Sequence, residues 1–241
     1  MELKYILFRW MLDGMDLLFP PTCGGCNCPG YKICPDCLKQ FHMLGDTVCQ
    51  VCGHPLSKST FCLDCKTNRP PYKSMRSWVV YDGPIRNILL KLKYLKNFSL
   101  GDELAHQVAG EIKKYQWPID CIVPIPLGKK RLRERGYNQV GMIAFSLAVK
   151  AQWEYLPGAL ERVRETNSQV GLTARERKEN VRDAFRFRTG KIEGKTVLLL
   201  DDIATTGATI HEGTKALLAG GAREVYAFTI ARAAAQNHPT S

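Results

Sequence analysis

The stretch Val197–Ile210, VLLLDDIATTGATI, decides the reading of this chain. With Thr196, its first part (TVLLL) is an unbroken apolar run of strand length, suited to a strand buried on both faces. Two carboxylates, Asp201 and Asp202, follow directly. Six small residues, Ala204, Thr205, Thr206, Gly207, Ala208 and Thr209, then lead into a helix expected near Ala208–Ala219. In open α/β sheets, ligands gather outside the carboxyl ends of the strands. A small-residue turn at that place presents successive backbone N–H groups and a helix N-terminus, which together cradle a phosphate dianion. The threonine hydroxyls add donors, and Gly207 lets the backbone come close. Asp201 and Asp202, the candidate catalytic pair, can accept hydrogen bonds from two ribose hydroxyls and help hold Mg2+ through water.

On either side of this run, strands and helices alternate. Met75–Tyr81 reads as a strand, and Pro84–Leu95 as a helix with proline in its first turn. Leu100–Tyr115 reads as a second helix, Asp120–Ile125 as a short buried strand, and Asn138–Lys150 as a helix with Asn138 as its N-cap. A last strand is expected at Glu224–Ile230. This alternation implies an α/β fold, a mostly parallel, doubly wound sheet.

Ahead of it lies a different kind of sequence. Nine of the ten cysteines fall between Cys23 and Cys65, and eight of them form four Cys-x-x-Cys pairs. These are Cys23/Cys26, Cys34/Cys37, Cys49/Cys52 and Cys62/Cys65. A two-residue gap lets both thiolates of one turn face a single ion, and two turns complete a tetrahedral site. Eight ligands predict two structural zinc ions, with neighbouring pairs as the simplest partners and crossed pairing also open. Soft thiolates suit zinc or an iron–sulfur cluster, and the knuckle spacing favours zinc. Cys28 is a spare thiol beside Cys26, and Cys121 reads as a small core residue. Residues 3–19 place Leu3, Ile6, Leu7, Trp10, Met11, Leu17 and Leu18 at partly helical spacing, and Pro20 and Pro21 stop the helix. Docking onto the protein is its favoured role; a partner or a membrane surface are the alternatives. The expected units are therefore a helix over 1–21, a zinc module over 22–69 and an α/β domain over 70–241.

Composition narrows the function classes. Hydrophobic content of 45% and charged content of 24% argue against disorder. No run approaches the ~18 apolar residues of a membrane span, and Arg9, Asp13 and Asp16 spoil a secretory signal. A dense cysteine cluster without export points to metal ligation and a cytoplasmic protein. Of the net charge of +11, residues 1–72 carry little, with seven Lys/Arg against six Asp/Glu; the rest hold 27 against 17. A basic domain attracts phosphates on a small ligand or along a nucleic acid, unless it is merely a solvated surface.

VLLLDDIATTGAT closely resembles the signature with which type I phosphoribosyltransferases bind phosphoribosyl pyrophosphate (PRPP). Three more segments, YDGPIRNILLKLKY (81–94), VPIPLGKKRLRERGYNQ (123–139) and SQVGLTARERKENVRDAF (168–185), resemble the ComF family of competence-associated proteins. The cysteine pairs match that family's zinc-ribbon prefix. The resemblance implies a PRPP or ribose 5-phosphate pocket, used with Mg2+. It also implies a pyrophosphate-holding loop after Val123 with Lys129, Lys130, Arg131, Arg133 and Arg135 beside it. A lid is implied over Ser168–Asn180, carrying Arg175, Arg177 and Lys178. For the family it further implies DNA uptake, with single-stranded DNA and proteins of the uptake machinery as partners. Tyr137, Trp153 and Tyr155 are candidate stacking platforms, though such aromatics more often serve as core. Two functions follow: single-strand handling with the pocket retained, or phosphoribosyl transfer to a nucleobase or other small acceptor.

Overall fold

The computed structural model describes residues 2–45, 47–95, 97–164 and 173–234. Within helices near both the amino terminus and residue 176, some side chains also lie outside the described part. The elements run α1 (Glu2–Leu18), α2 (Pro35–Lys39), α3 (Leu63–Thr67), β1 (Ser74–Val80), α4 (Gly83–Tyr94), α5 (Phe98–Lys114) and β2 (Cys121–Pro124). They continue with α6 (Lys129–Arg135), α7 (Gln139–Ala151), β3 (Glu154–Tyr155), β4 (Leu160–Arg162), α8 (Ala174–Val181), β5 (Phe185–Phe187), β6 (Thr196–Ala204), α9 (Ala208–Ala219) and β7 (Glu224–Arg232).

Five strands form one sheet in the order β1-β7-β6-β2-β3, every neighbour pair parallel. Residues of β6 alternate between two cores, as strand geometry requires. Leu198 and Leu200 belong to the side covered by α4, α5 and α7. Val197 and Leu199 belong to the side covered by α9 and by the β4–β5 hairpin. After β2 the chain crosses to β3 on one flank, and after β6 it crosses to β7 on the other. The switch in direction leaves a crevice between the carboxyl ends of β2 and β6.

One expectation changes. The strand predicted to end at Leu200 continues to Ala204, because Asp201, Ile203 and Ala204 pair with Thr229, Ala231 and Arg232 of β7. Ladder pairing carries the strand past the point where apolar character stops. The helix α1 docks on the protein, as expected, and polar contacts take part among its described side chains. Tyr5 donates to Asp102 (2.8 Å), Arg9 pairs with the same buried carboxylate (2.8 Å), and Asp16 pairs with Lys32 (2.7 Å). Leu7, Trp10, Met11, Leu17 and Leu18 face outward, Trp10 at 73% exposure. Asn138 caps α7, its side chain accepting from the Val140 amide (3.1 Å).

The cysteine-rich segment sits directly on the sheet. Its first half packs on α4 and α5. A Cβ on Gly24 would lie 2.9 Å from Leu100, and one on Gly25 2.6 Å from the Cys37 sulfur. Lys91 and Asn87 donate to the carbonyls of Cys23 and Gly25 (both 3.0 Å). Its second half packs on β1. The Met75 amide donates to the Val51 carbonyl (2.7 Å), and Arg76 donates to the Gln50 carbonyl (3.1 Å). The two halves thus join opposite cores, Cys23, Cys34 and Cys37 in one and Cys49, Cys62 and Cys65 in the other.

Candidate functional site

The two acids stand at the end of β6 and, one residue apart on a strand, point to opposite faces. Asp202 turns toward α4 and α7. There it accepts from Lys93 Nζ (2.9 Å) and Gln139 Nε2 (2.9 Å). Burial opposes its charge, but the Lys93 ammonium and the Gln139 amide outweigh that and hold its pKa below the usual range. Asp201 turns to the other face, where burial and the neighbouring Asp202 charge push its pKa up to about 8. One carboxylate is charged and committed; its neighbour holds a proton near neutral pH. A cation arriving beside Asp201 would restore its charge.

Sequence reasoning missed Lys93, Gln139 and Arg162 as site residues. Lys93 follows the buried positions Leu89 and Leu92 of α4, and a cation beside an apolar stripe is the one signal that could have marked it. Arg162, on β4, eases charge onto Asp201; only the hairpin brings it there.

Beyond Ala204, Thr205 and Thr206 form the expected turn, and Gly207 takes φ +76°. The glycine is needed for that backbone conformation; a Cβ there would meet only ordinary contacts with Met75 and Tyr72. Ala208 and Thr209 begin α9; its N-cap Gly207 has no side chain to cap it, and the Ala208 amide donates to the Thr206 hydroxyl (3.4 Å). Thr205, Thr206, Gly207 and Ala208 line a cleft of about 660 Å3. The opposite wall is unexpected: it is the second half of the cysteine module, including Cys52, Cys62 and Cys65. Glu179 and Arg182, at the end of α8, border a third side.

The basic run Lys129–Arg135 is helical, with Lys129, Lys130 and Arg133 exposed and Arg131 and Arg135 half-buried. Arg135 reaches the acids indirectly. It donates to Gln139 Oε1 (2.7 Å), and Gln139 donates onward to Asp202. Lys129 lines a second cavity of about 640 Å3, walled by Pro126, Leu127, Met142, Phe145 and Leu160 and mostly apolar. Among the lid residues, Arg175, Arg177 and Lys178 fall within α8, but their side chains, and residues 168–172, lie outside the described part. The end of α8 is secured: Arg164 donates to the carbonyls of Glu179, Asn180 and Arg182 at 2.6–3.1 Å, and Thr173 and Glu176 form a capping box.

Tyr137, Trp153 and Tyr155 pack inward, as aromatics more often do. Tyr137 donates to the Leu92 carbonyl and lies 5.5 Å from the Phe98 ring. Tyr155 donates to the Gly141 carbonyl (2.9 Å), and Trp153 rests on the α7 side of the core.

The cysteines gather as two groups, Cys23/Cys26/Cys34/Cys37 and Cys49/Cys52/Cys62/Cys65, with all sulfurs of a group within 4.8 Å of one another. Measured S···S separations are 3.7 Å for Cys23–Cys37 and Cys26–Cys34 and 3.6 Å for Cys52–Cys62. A tetrahedron with Zn–S bonds of about 2.3 Å has edges of about 3.8 Å, so zinc fits both groups. Backbone amides of Cys37 and Cys65 donate to the sulfurs of Cys34 and Cys62 (both 3.4 Å), as thiolates require. Neighbouring pairs supply each site, and Cys28 belongs to neither. Cys121 is buried in β2 as a core residue.

A parallel sheet with a small-residue turn at its switch point, joined to two four-thiolate knots, defines a zinc-ribbon protein of the phosphoribosyltransferase fold class. Comparison agrees: residues 14–66 match the double zinc ribbon domain, and residues 155–241 match the phosphoribosyl transferase domain. The chain is 29% identical over 229 residues to the DNA utilization protein YhgH of Escherichia coli (strain K12), covering 90% of this chain and 99% of that one. It is 29% identical to competence protein F of Haemophilus influenzae, with 83% and 90% covered. For competence protein ComFC of Bacillus subtilis the figures are 27%, 85% and 85%. The chain is thus a homologue of the competence proteins F and ComFC and of YhgH, with a phosphoribosyl transferase domain and an amino-terminal double zinc ribbon both present.

Proposed function

We propose that this protein binds PRPP or a related ribose 5-phosphate compound at Asp201–Thr209 and handles single-stranded DNA during DNA uptake in the cytoplasm. Its competence and DNA-utilization relatives support a competence-related role. The observation that carries the pocket is the small-residue turn itself, where Thr205–Ala208 line a cleft and Gly207 at positive φ leads into α9, at the end of the strand that carries Asp201 and Asp202. The amides meet the phosphate, and the acids meet ribose hydroxyls and, through water, Mg2+. For the DNA strand, support comes from the exposed cations of α6 at the rim of the same crevice. With the aromatics turned inward, binding rests on phosphates more than on stacked bases, and should be strongly salt-dependent.

The test is fluorescence anisotropy with a labelled single-stranded oligonucleotide over a salt series. Replacing Lys129, Lys130 and Arg133 by Gln should weaken binding and lower the salt slope by about 2, since each phosphate contact contributes about 0.7. Weak binding by the unaltered protein even at low salt would defeat the DNA half of the proposal.

One observation favours phosphoribosyl transfer as a second reading. The apolar cavity beside Lys129 adjoins the loop after β2, and a flat acceptor there would lie next to the crevice. Consumption of PRPP with candidate nucleobases, followed by pyrophosphate release, distinguishes this reading from binding alone.

A further inference from the structure

Arg232 closes β7 opposite Ala204, the first residue of the phosphate turn. It is 7% exposed and lines the cleft that the turn shares with the second cysteine group. One guanidinium nitrogen donates to the Cys52 carbonyl and approaches the Met75 sulfur at 3.9 Å. Its Nε is buried without a hydrogen-bond partner, and no carboxylate pairs with it among the described residues. A buried guanidinium needs a counter-charge and an acceptor for each N–H. A four-thiolate zinc site, formally dianionic, supplies part of the charge from behind. The Arg232 side chain lines the same cleft as Thr205–Ala208 at the entry to α9.

We propose that the second zinc ribbon is a working wall of the sugar-phosphate site, and that Arg232, anchored to it, is a ligand for the phosphomonoester held by Thr205–Ala208. The inference rests on the sugar-phosphate reading of that turn. The amides of the turn bind one side of the dianion, and Arg232 binds the other with charge-assisted hydrogen bonds. The ribbon holds the guanidinium in place through the Cys52 carbonyl, so zinc at Cys49/Cys52/Cys62/Cys65 and phosphate in the cleft stabilise each other. The first ribbon, packed on α4 away from the cleft, is outside this coupling.

Two measurements on the full-length zinc-loaded protein test it. In the first, zinc release to a chromogenic chelator is followed with and without saturating ribose 5-phosphate. One of the two equivalents should leave several-fold more slowly with the ligand, and the other at an unchanged rate. In the second, calorimetry compares ribose 5-phosphate binding by the unaltered protein and Arg232→Gln. Affinity should fall at least about tenfold, the worth of a charged hydrogen bond, with two zinc equivalents retained. If ribose 5-phosphate binds but neither zinc equivalent slows, or if Arg232→Gln binds as tightly as the unaltered protein, the inference is overturned while the sugar-phosphate reading stands. If the unaltered protein binds neither ribose 5-phosphate nor PRPP, both fall. Should Arg232→Gln lose zinc on its own, the release experiment decides the matter.

Discussion

Asp201 and Asp202 are chemically identical neighbours given different protonation by the faces they point to. For Asp201, a folded pKa near 8 against about 3.9 unfolded means the native state holds the extra proton between those values. Stability therefore declines as pH rises through that window. Asp201→Asn should remove this decline and raise the melting temperature at pH 8 by about 2–4 °C, the equivalent of about 1 kcal/mol in a chain of this size. Thermal melts from pH 5 to 9 without Mg2+ or ligand would check it. Asp202 behaves in the opposite sense: its depressed pKa contributes stability above about pH 4 that is lost as acid protonates it. Lys93→Met leaves that carboxylate buried and unpaired, at a cost of about 3 kcal/mol in urea unfolding. Lys93→Met combined with Asp202→Leu should recover much of the loss. The acids themselves were legible, because paired carboxylates after an apolar strand are unusual in any sequence. Their division into a charged and a protonated member was not. It depends on Lys93 and Gln139, more than 60 residues away, which hold the charge on Asp202.

At the scale of elements, long periodic segments could be read and short ones could not. β6, α4, α5, α7 and α9 have apolar patterns strong enough to survive without context. α6 is a run of charged residues with no apolar face, and β4 and β5 have three residues each, too few for alternation to register. They exist because the hairpin covers one core, with Phe187 lying against Gly220 so closely that a Cβ there would come within 2.4 Å. The docking of α1 was the favoured reading of residues 3–19, but its polar anchor was not legible: buried Asp102 binds Tyr5 and Arg9. The turn into α9 carries its own prediction. Gly207→Ala places a side chain at positive φ, which should cost about 1–2 kcal/mol and tilt the first amides of the helix. A denaturation curve reports the first effect, and weaker ribose 5-phosphate binding the second.

For the whole molecule, the cysteine spacing announced two metal knots, but not that each would be built into a different face of the sheet. A segment of this size has little core of its own, and here it borrows one from each side. The boundary near residue 70 is thus a change of sequence character rather than a gap in packing. Zinc removal should consequently lower the stability of the entire chain in one cooperative transition, instead of melting an independent module. Circular dichroism of the α/β signal during chelation would show helix and sheet lost together with the metal.

The account turns on the sugar-phosphate site, and PRPP binding measured by calorimetry with Mg2+ tests that most directly. The unaltered protein should bind, and Asp201→Asn with Asp202→Asn should abolish binding while circular dichroism shows the fold retained. Equal affinity in the two proteins, or no binding by the unaltered one, would contradict it.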